Sequence, residues 1–352
     1  ATFLDPFSLE SVELVRGPGS VSYGSDALGG ILHARTVRPA HGESFGRWEL
    51  AAGAGVPYAS GAIGFNLPAG EKGSFLVQGH QRSFDDYETP SGTEENSSAR
   101  DRGFLIRSRT PWLSGDLNIG FQFDEALDVE RPASDTGTSR TAYPLERSER
   151  LTLSWARTGL SGWFQESSTE MFFGRYRLVT EREDDGSDIS ATDYAVRVVG
   201  LRQQEGYLLQ AGLDLNGRTG LNALDTAGNV TTESIASARR YDAGLYAEGE
   251  RFFDAGRWTV SGGLRFDQVA TENSGGSFGN RKSSNAAGSG FAAVGLRPFS
   301  SPTRFTFQIA RGFRDPSLSD RYFSGVTARG TITGNPDLQP ETSLQFDLSA
   351  AS

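Results

Sequence analysis

The sequence contains no cysteine and a single methionine among its 352 residues. Without cysteine the chain can form neither a disulfide framework nor a thiolate metal site. No apolar run approaches the about 20 residues that a membrane-spanning helix requires, and hydrophobic residues make up only 36% of the chain. A helical membrane protein is therefore excluded, whereas a membrane barrel is not, because its strands alternate lipid-facing and lumen-facing residues.

Basic residues are also comparatively scarce. Lys and Arg number 34 against 44 Asp and Glu, which gives a formal net charge of −10. Because phosphate binding needs a basic face, we expect no nucleic acid partner. The first ten residues, ATFLDPFSLE, lack the basic start and apolar core of a signal peptide. Either a leader has been removed or the sequence starts within a longer protein, and the rest of the sequence favours the second.

Glycine and aromatic residues are abundant in the sequence. It has 44 Gly and 23 Phe, and few stretches form helices readily, so we predict an all-β fold. Apolar and polar residues alternate with period two, so each segment has one apolar face and one polar face. The apolar residues of three such segments are Leu117, Ile119, Phe121 and Phe123; Trp258, Val260, Leu264 and Phe266; and Phe305, Phe307 and Ile309.

The polar faces distinguish a membrane barrel from a soluble sandwich. They carry mostly Gly, Ser, Thr, Asn and Gln, which suits a wide, wet lumen better than a charged outer surface. In the segment that begins at Trp258, we therefore predict that Leu264 and Phe266 face lipid. Arg265 and Asp267 should face the lumen.

Connection lengths support the same architecture. We predict strands at 46–56, 58–68, 73–84, 101–110, 115–124, 146–157, 163–180, 193–202, 205–215, 238–252, 257–271, 286–297 and 303–313, with a fourteenth beginning near 342. After the first hairpin, short connections alternate with long ones at 85–100, 125–145, 181–192, 216–237, 272–285 and 314–341. This alternation is typical of an outer-membrane barrel whose long loops face the cell exterior.

Two motifs identify a family. Residues 9–36 read LESVELVRGPGSVSYGSDALGGILHART, a short strand followed by a Gly-rich unit of tight turns. Residues 312–318, GFRDPSL, and 334–342, GNPDLQPET, lie far along the chain. The first string resembles the end of the plug domain of TonB-dependent receptors, and the other two resemble that family's long loop between an "FRxPS" strand end and "GNPDLxPE".

The resemblance implies a transmembrane antiparallel β-barrel of the twenty-two-stranded type, enclosing a plug. Residues 1–38 would then be the C-terminal part of the plug domain, and residues 39–352 a partial barrel of about thirteen strands and a fragment. On this interpretation the sequence lacks a Ton box, most of the plug and the last strands. We expect a monomer in the lipid of a Gram-negative outer membrane.

The function implied by the resemblance is TonB-energised uptake of a scarce ligand such as a ferric siderophore or cobalamin. TonB in the full-length protein and a small ligand such as a metal chelate are the expected partners. Haem-uptake members are expected to place a histidine between the two loop motifs, and residues 315–335 contain none. The alternative is an outer-membrane barrel enzyme or another surface-binding β protein. We predict no enzymatic activity, because no nucleophile elbow with a partnered histidine stands out.

The resemblance also implies an ion pair between plug and barrel. Arg16 ends the plug strand beside a turn, and a buried arginine needs a carboxylate partner. Family members are expected to pair plug arginines with inward-facing barrel carboxylates. The matching candidates are Glu248, Glu250 and Asp347, whereas the simpler alternative is that Arg16 caps a turn in solvent.

Loop residues are candidates for ligand contact, because Tyr and Arg are favoured at recognition sites. They are Tyr87, Arg131, Tyr143, Tyr322 and Arg329, and packing among the loops explains them about as well. We expect no cofactor. A loop calcium ion bound by the carboxylates of Asp184, Asp185 and Asp188 is the alternative, against the simpler interpretation that these residues form a solvated surface.

Overall fold

The structure is a computed structural model. It describes residues 5–16, 19–25, 27, 30–132, 140–183, 185–298, 302–327 and 330–351. Most of these residues form β-strands. Among them no helix is long and apolar enough to cross a membrane.

One antiparallel sheet of fourteen strands dominates the structure, and each strand pairs with the next one along the chain. Its edge strands are β3 (Phe45–Gly53) and β20 (Glu341–Ala351), which do not pair with each other in the described part of the chain. Two short hairpins, β6–β7 and β18–β19, lie outside the sheet. The strands from β3 onward are β3 (Phe45–Gly53), β4 (Tyr58–Ala69), β5 (Gly73–Phe84), β6 (Glu88–Thr89), β7 (Gly92–Thr93), β8 (Ala99–Trp112), β9 (Gly115–Arg131), β10 (Thr141–Arg157), β11 (Glu166–Arg182), β12 (Asp185–Gln204), β13 (Tyr207–Ala227), β14 (Val230–Phe253), β15 (Trp258–Gly275), β16 (Gly279–Leu296), β17 (Arg304–Arg314), β18 (Ser324–Thr327), β19 (Gly330–Thr333) and β20 (Glu341–Ala351).

All fourteen predicted strands are present, but several predicted loops are wrong. β12 and β13 pair from Asp185–Ala227 onward, and β13 turns into β14 between Ala227 and Val230. The sequence analysis assigned 181–192, 216–237 and 272–285 to loops, whereas most of these residues extend hairpins. Beyond the apolar band the outward-facing residues are no longer regularly apolar, so the period-two signal ends while backbone pairing continues. We call the end of the sheet that carries these extended hairpins the long-loop end. The opposite end, where short turns join the strands, is the short-turn end.

The two faces of the sheet follow the predicted parity. On β15, Leu264 and Phe266 are 75% and 58% exposed on the outer face, while Arg265 and Asp267 are buried on the inner face. The neighbouring strand β14 repeats the pattern. Its Leu245 is 64% exposed and Tyr246 is buried. The outer face is therefore an apolar surface suited to lipid, and the inner face is polar.

Residues 1–38 are here called the plug tail, and the described ones among them form a small unit against the inner face. Strand β1 (Leu9–Arg16) pairs antiparallel with β2 (Gly30–Thr36), and the short helix α1 (Ser20–Tyr23) lies between them. The predicted domain boundary at residue 38 falls between β2 and β3. A second short helix, α2 (Leu318–Tyr322), follows β17.

Candidate functional site at the plug–barrel interface

Helix α1 is the point where the plug tail contacts the β14 wall. The Ser22 hydroxyl lies 2.9 and 2.8 Å from the two carboxylate oxygens of Glu248 and donates to that group. Glu248 points inward, as its parity predicted. The side chain of Arg16, its predicted partner, lies outside the described residues, so the Arg16 ion pair stays a prediction. Ser22 is a plug contact that the sequence analysis missed.

Two barrel arginines bind the backbone of α1. Arg265 donates to the carbonyl oxygen of Val21 at 3.4 Å, and Arg197 donates to that of Ser22. The last carbonyls of a short helix have no intrahelical partner, so guanidinium donors satisfy them. Arg197 also lies 5.3 Å from the Tyr23 ring centroid. The helix is thus held through its C-terminal carbonyls and through Ser22.

The same arginines belong to a buried charge network. Arg265 contacts Asp214 at 2.5 Å and Asp267 at 2.8 Å, and Arg197 lies 3.4 Å from Asp214. The charges of two arginines and two carboxylates therefore compensate each other within the lumen. Buried charges need such partners. Gly24 follows α1 with a φ of +80°, and an added Cβ would lie 3.1 Å from an Arg265 guanidinium nitrogen. Glycine at this position allows the close approach.

A second plug contact has the opposite polarity from the one predicted. The plug tail supplies the carboxylate of Asp5, and the barrel supplies the guanidinium of Arg82 and the imidazole of His80. His80 Nδ1 lies 3.3 Å from Asp5, and His80 Nε2 lies 3.3 Å from Asp101. Arg82 donates to Asp101 at 2.8 Å and lies 4.0 Å from Asp5. His80 is not among the site residues predicted above, and its inward parity on β5 is the signal that could have found it.

Further barrel side chains bind the backbone at residues 36–40, where the plug tail ends and the connection to β3 begins. Arg107 donates to the carbonyl oxygens of Thr36 and Val37, both at 3.2 Å, and to the Thr36 hydroxyl at 2.6 Å. The Asn66 side chain donates to the Ala40 carbonyl oxygen at 3.0 Å and accepts from the Ala40 N–H at 3.1 Å. These bonds fix the connection between the plug tail and the first barrel strand.

The two loop motifs contact each other. Arg321 is fully buried and donates to the Pro336 carbonyl oxygen at 2.6 Å. The Asn335 N–H donates to the Asp320 carbonyl oxygen at 3.0 Å. At Gly334 an added Cβ would lie 2.7 Å from the Arg321 carbonyl carbon, so only glycine fits there. The GNP of the second motif is therefore a packing surface for α2.

A capping box starts α2. Ser317 accepts from the Asp320 N–H at 3.1 Å, and Asp320 accepts from the Ser317 N–H at 2.9 Å. Partial burial acts to raise the pKa of Asp320. The hydrogen bonds from Ser317 and the charge of Arg314 outweigh it, so the pKa lies below its usual value. The box keeps the FRDPS motif rigid beside the lumen.

Asp315 joins this loop to the plug tail. Its backbone N–H donates to the Ser25 hydroxyl at 3.1 Å, and its carboxylate accepts from Asn285 at 2.7 Å. Arg321 lies 3.6 Å from the same carboxylate. Asp315 is 1% exposed, so its charge depends on these neighbours. Loop, barrel wall and plug tail thus meet at one buried aspartate.

The other predicted plug partners lie apart from the described plug contacts. Glu250 is half-buried on β14, with no ion pair among the described residues. Asp347 is exposed on the edge strand β20, opposite Gln308. Of the three predicted carboxylates, only Glu248 contacts a described part of the plug tail.

The predicted ligand contacts do not form one group. Arg131 and Tyr143 lie near the adjoining long-loop ends of β9 and β10, and Tyr87 lies in the 85–98 connection. Tyr322 is 1% exposed, packs with Leu318 and shares a 3.0 Å hydrogen bond with Thr271. It is therefore a packing residue in this structure and offers no ligand surface. Arg329 lies outside the described residues.

The predicted calcium ligands are only partly described. Asp188 accepts two hydrogen bonds from Arg177, at 3.1 and 2.7 Å, and Asp185 is exposed at the start of β12. Asp184 lies outside the described residues. Within the described chain no group of three or more acidic, histidine or cysteine side chains is arranged to hold a metal ion.

Two luminal cavities adjoin Tyr23 on the inner face. One, of about 430 Å³, is lined by α1, α2 and charged residues of β14 and β15, including Arg240 and Asp242. The other, of about 560 Å³, lies beside β2 and is lined by Arg35, Arg107 and Arg197. Both cavities bring charged barrel side chains close to the plug tail.

Comparison with known proteins identifies the family. Residues 55–351 match the family described as "TonB dependent receptor-like, beta-barrel", and residues 1–31 match "TonB-dependent Receptor Plug Domain". The chain belongs to the TonB-dependent receptor family. This family consists of transport receptors, and the chain is an outer-membrane protein with an incomplete antiparallel barrel and part of a plug.

Individual relatives agree with this assignment. An "Iron-regulated outer membrane virulence protein" of Vibrio cholerae serotype O1 is 24% identical over 360 residues, covering 97% of this chain and 50% of that protein. A "Hemin receptor" of Yersinia enterocolitica is 29% identical over 149 residues, covering 40% of this chain and 21% of that protein. The solved "Copper transporter OprC" superimposes with a TM-score of 0.83 at 16% identity, covering 99% of this chain and 59% of that one. The chain thus spans at most about three-fifths of these proteins.

Proposed function

We propose that the full-length protein takes up a scarce metal chelate across the outer membrane, with energy supplied through TonB. A ferric siderophore is the favoured ligand class, and cobalamin is the alternative. The observation that carries the proposal is the docking of the plug tail in the lumen. Ser22 contacts Glu248, and Arg197 and Arg265 bind the α1 carbonyl oxygens.

These contacts suit a plug that must hold and then rearrange. Hydrogen bonds and ion pairs are directional, so a displacement of α1 by a few ångströms breaks several of them together. Apolar contacts are not directional, so a sealed apolar interface would not be released by so small a displacement. The Asp315–Ser25 contact extends the same network to the loop that carries the FRDPS motif. A ligand bound above that loop would therefore have a route for influencing the plug tail.

The ligand class is inferred from two observations. The names of the relatives described above refer to iron, hemin and copper. Residues 315–335 of this chain contain no histidine to coordinate a haem iron. A chelate that keeps its own ligands around the metal therefore fits better than haem.

Growth and uptake measurements test the proposal. A deletion strain should grow poorly on one ferric siderophore or on limiting cobalamin, and the wild-type gene should restore growth. Radiolabelled uptake should disappear in a strain without TonB. Uptake that persists without TonB would contradict the energised mechanism. Normal growth of the deletion strain on every siderophore and cobalamin source would contradict the ligand class.

A further inference from the structure

The outer face of the barrel carries arginines at both ends, and their surroundings differ. At the long-loop end Arg102 and Arg147 flank Glu125, with nitrogen–oxygen distances of 2.6 and 2.5 Å. Arg177 pairs with Asp188 at 2.7 Å. These arginines are neutralised within the protein, which leaves little net positive charge for an outside partner.

At the short-turn end three arginines lie over aromatic rings instead. The guanidinium carbon of Arg157 is 4.5 Å from the Trp155 ring centroid, and that of Arg202 is 4.0 Å from Trp163. Arg251 lies 5.1 Å from the Phe253 centroid. Within the described chain, none of these three arginines has a carboxylate within 4.0 Å. We call these three arginines and three rings the arginine–aromatic belt.

Strand parity places the belt arginines on the lipid side. Arg157 shares its face with Leu151, which is 48% exposed, and Arg251 shares its face with Leu245. Arg202 has the same parity as the exposed Val198. Each arginine ends an apolar stripe at the edge of the band where tryptophan and tyrosine usually meet lipid headgroups.

Part of the hydrogen-bonding capacity of these guanidinium groups is already used. Arg202 donates to the Trp163 carbonyl oxygen at 3.0 Å and to the Tyr207 hydroxyl at 2.6 Å. Arg157 makes one long contact of 3.4 Å to Ser167. An arginine has five N–H donors, so each of the three keeps N–H groups for a further acceptor. The aromatic rings orient the guanidinium planes without neutralising them.

We propose that the arginine–aromatic belt binds the phosphate groups of phospholipids in the membrane leaflet at the short-turn end. A guanidinium fork matches two phosphate oxygens, and the acyl chains of the same lipid cover the apolar stripe beside it. The absence of a neighbouring carboxylate removes the competing anion. At the long-loop end, the carboxylates of Glu125 and Asp188 already pair with the arginines.

The test uses lipid binding to the full-length receptor, purified in detergent and stripped of lipid. Native mass spectrometry counts the bound molecules of phosphatidylglycerol and of a galactosyl diacylglycerol with the same acyl chains and no phosphate. The wild type should favour phosphatidylglycerol. One arginine near an anionic lipid changes affinity about fivefold. The triple variant Arg157→Gln, Arg202→Gln, Arg251→Gln should therefore lose about tenfold or more for phosphatidylglycerol and keep its affinity for the galactolipid.

Arg175→Gln is the matched control, because Arg175 also lies over a ring, 5.9 Å from the Phe173 centroid, but farther toward the long-loop end. It should change phosphatidylglycerol affinity by less than about twofold. Heat-modifiable gel migration verifies that each variant is folded, and Arg251→Gln alone replaces the triple variant if the latter fails to fold. Equal binding of both lipids by the wild type would show anchoring by the rings alone and overturn the proposal. A folded variant that keeps wild-type phosphatidylglycerol affinity would also overturn it.

Discussion

The outer and inner faces of the sheet use neighbouring residues of the same strands for opposite purposes. On β15, Leu264 is 75% exposed and its neighbour Arg265 is 5% exposed. The outer face needs only apolar character and tolerates any apolar side chain of suitable size, because lipid adapts its shape. The inner face needs particular partners at particular distances. A substitution is therefore judged by different rules on the two faces.

The inner face carries the more specific interactions. Arg265 contacts two carboxylates and a plug carbonyl at once, and its side chain is 2% exposed. Removing it leaves Asp214 and Asp267 without their shared cation, whereas removing Leu264 exposes nothing that needs a partner. We expect the largest effects of substitution on this face.

The largest expected effect is that of Arg265→Met. An uncompensated buried charge costs about 3–5 kcal/mol, so the free energy of unfolding of the full-length receptor in lipid should fall by that order in a guanidinium titration. Arg265→Lys is the control, because it keeps the charge but loses the fork that contacts Asp214 and Asp267 together. A change below about 1 kcal/mol for Arg265→Met would show that water replaces the guanidinium in the lumen.

On the outer face, Leu264→Arg should be the next most damaging. A charged residue facing lipid near the bilayer midplane costs about 2–4 kcal/mol. Ser261→Ala, on the inner face of the same strand, should cost much less, because a half-buried hydroxyl in a polar lumen has water as an alternative partner. The same unfolding titration compares the two. A cost for Leu264→Arg as small as that for Ser261→Ala would mean that the faces are assigned the wrong way round.

The sequence predicts the two faces well because alternation is a local property. Leu264 and Arg265 fall on their faces by parity, and Glu248 points toward the plug for the same reason. The sequence predicts the hairpins beyond the apolar band poorly, because residues such as Asp185 and Ser190 carry no apolar alternation. Backbone pairing extends there without any side-chain signal.

The partners across the plug interface could not be predicted from the sequence. Asp5 and His80 are separated by about 75 residues, and Ser22 and Glu248 by 226. Parity says which way a side chain points but not the depth at which the plug lies in the lumen. The sequence did offer one signal for this interface, namely charged residues on the inner face of otherwise apolar strands, such as Arg197 and Asp214.

The Ser22–Glu248 contact should show an intermediate effect. A hydrogen bond to a charged group contributes about 1.5–3 kcal/mol, so Ser22→Ala should loosen the plug tail and make cells more sensitive to a large antibiotic such as vancomycin. Glu250→Gln is the matched control, as a neighbouring inward carboxylate without a described ion pair. Equal sensitivity of both variants would indicate a general effect of altering the plug–barrel interface, rather than loss of the Ser22–Glu248 hydrogen bond.

The predicted Arg16 ion pair can be tested together with the Ser22–Glu248 contact. Arg16→Ala should also make the receptor leaky if its guanidinium pairs with Glu248. Combined with Glu248→Gln, it should then add less than the sum of the two single effects, because both remove the same interaction. Additive effects in this double-mutant cycle would assign Arg16 to another partner, and an experimental structure with its guanidinium in bulk water would remove the basis of the prediction.

The smallest expected effect lies on the outer face beyond the apolar band, at Arg177 and Asp188. This pair is exposed, with side-chain exposures of 52% and 37%, so Arg177→Gln should reduce the free energy of unfolding by only about 0.2–1 kcal/mol. The reduction should shrink at high salt, since exposed charges are screened. Calcium binding at Asp188 would require displacement of Arg177, so calcium should stabilise Arg177→Gln more than the wild type if the ion binds there. If calcium stabilises the wild type and Asp188→Asn abolishes this stabilisation, the result would instead favour a metal site over a solvated ion pair.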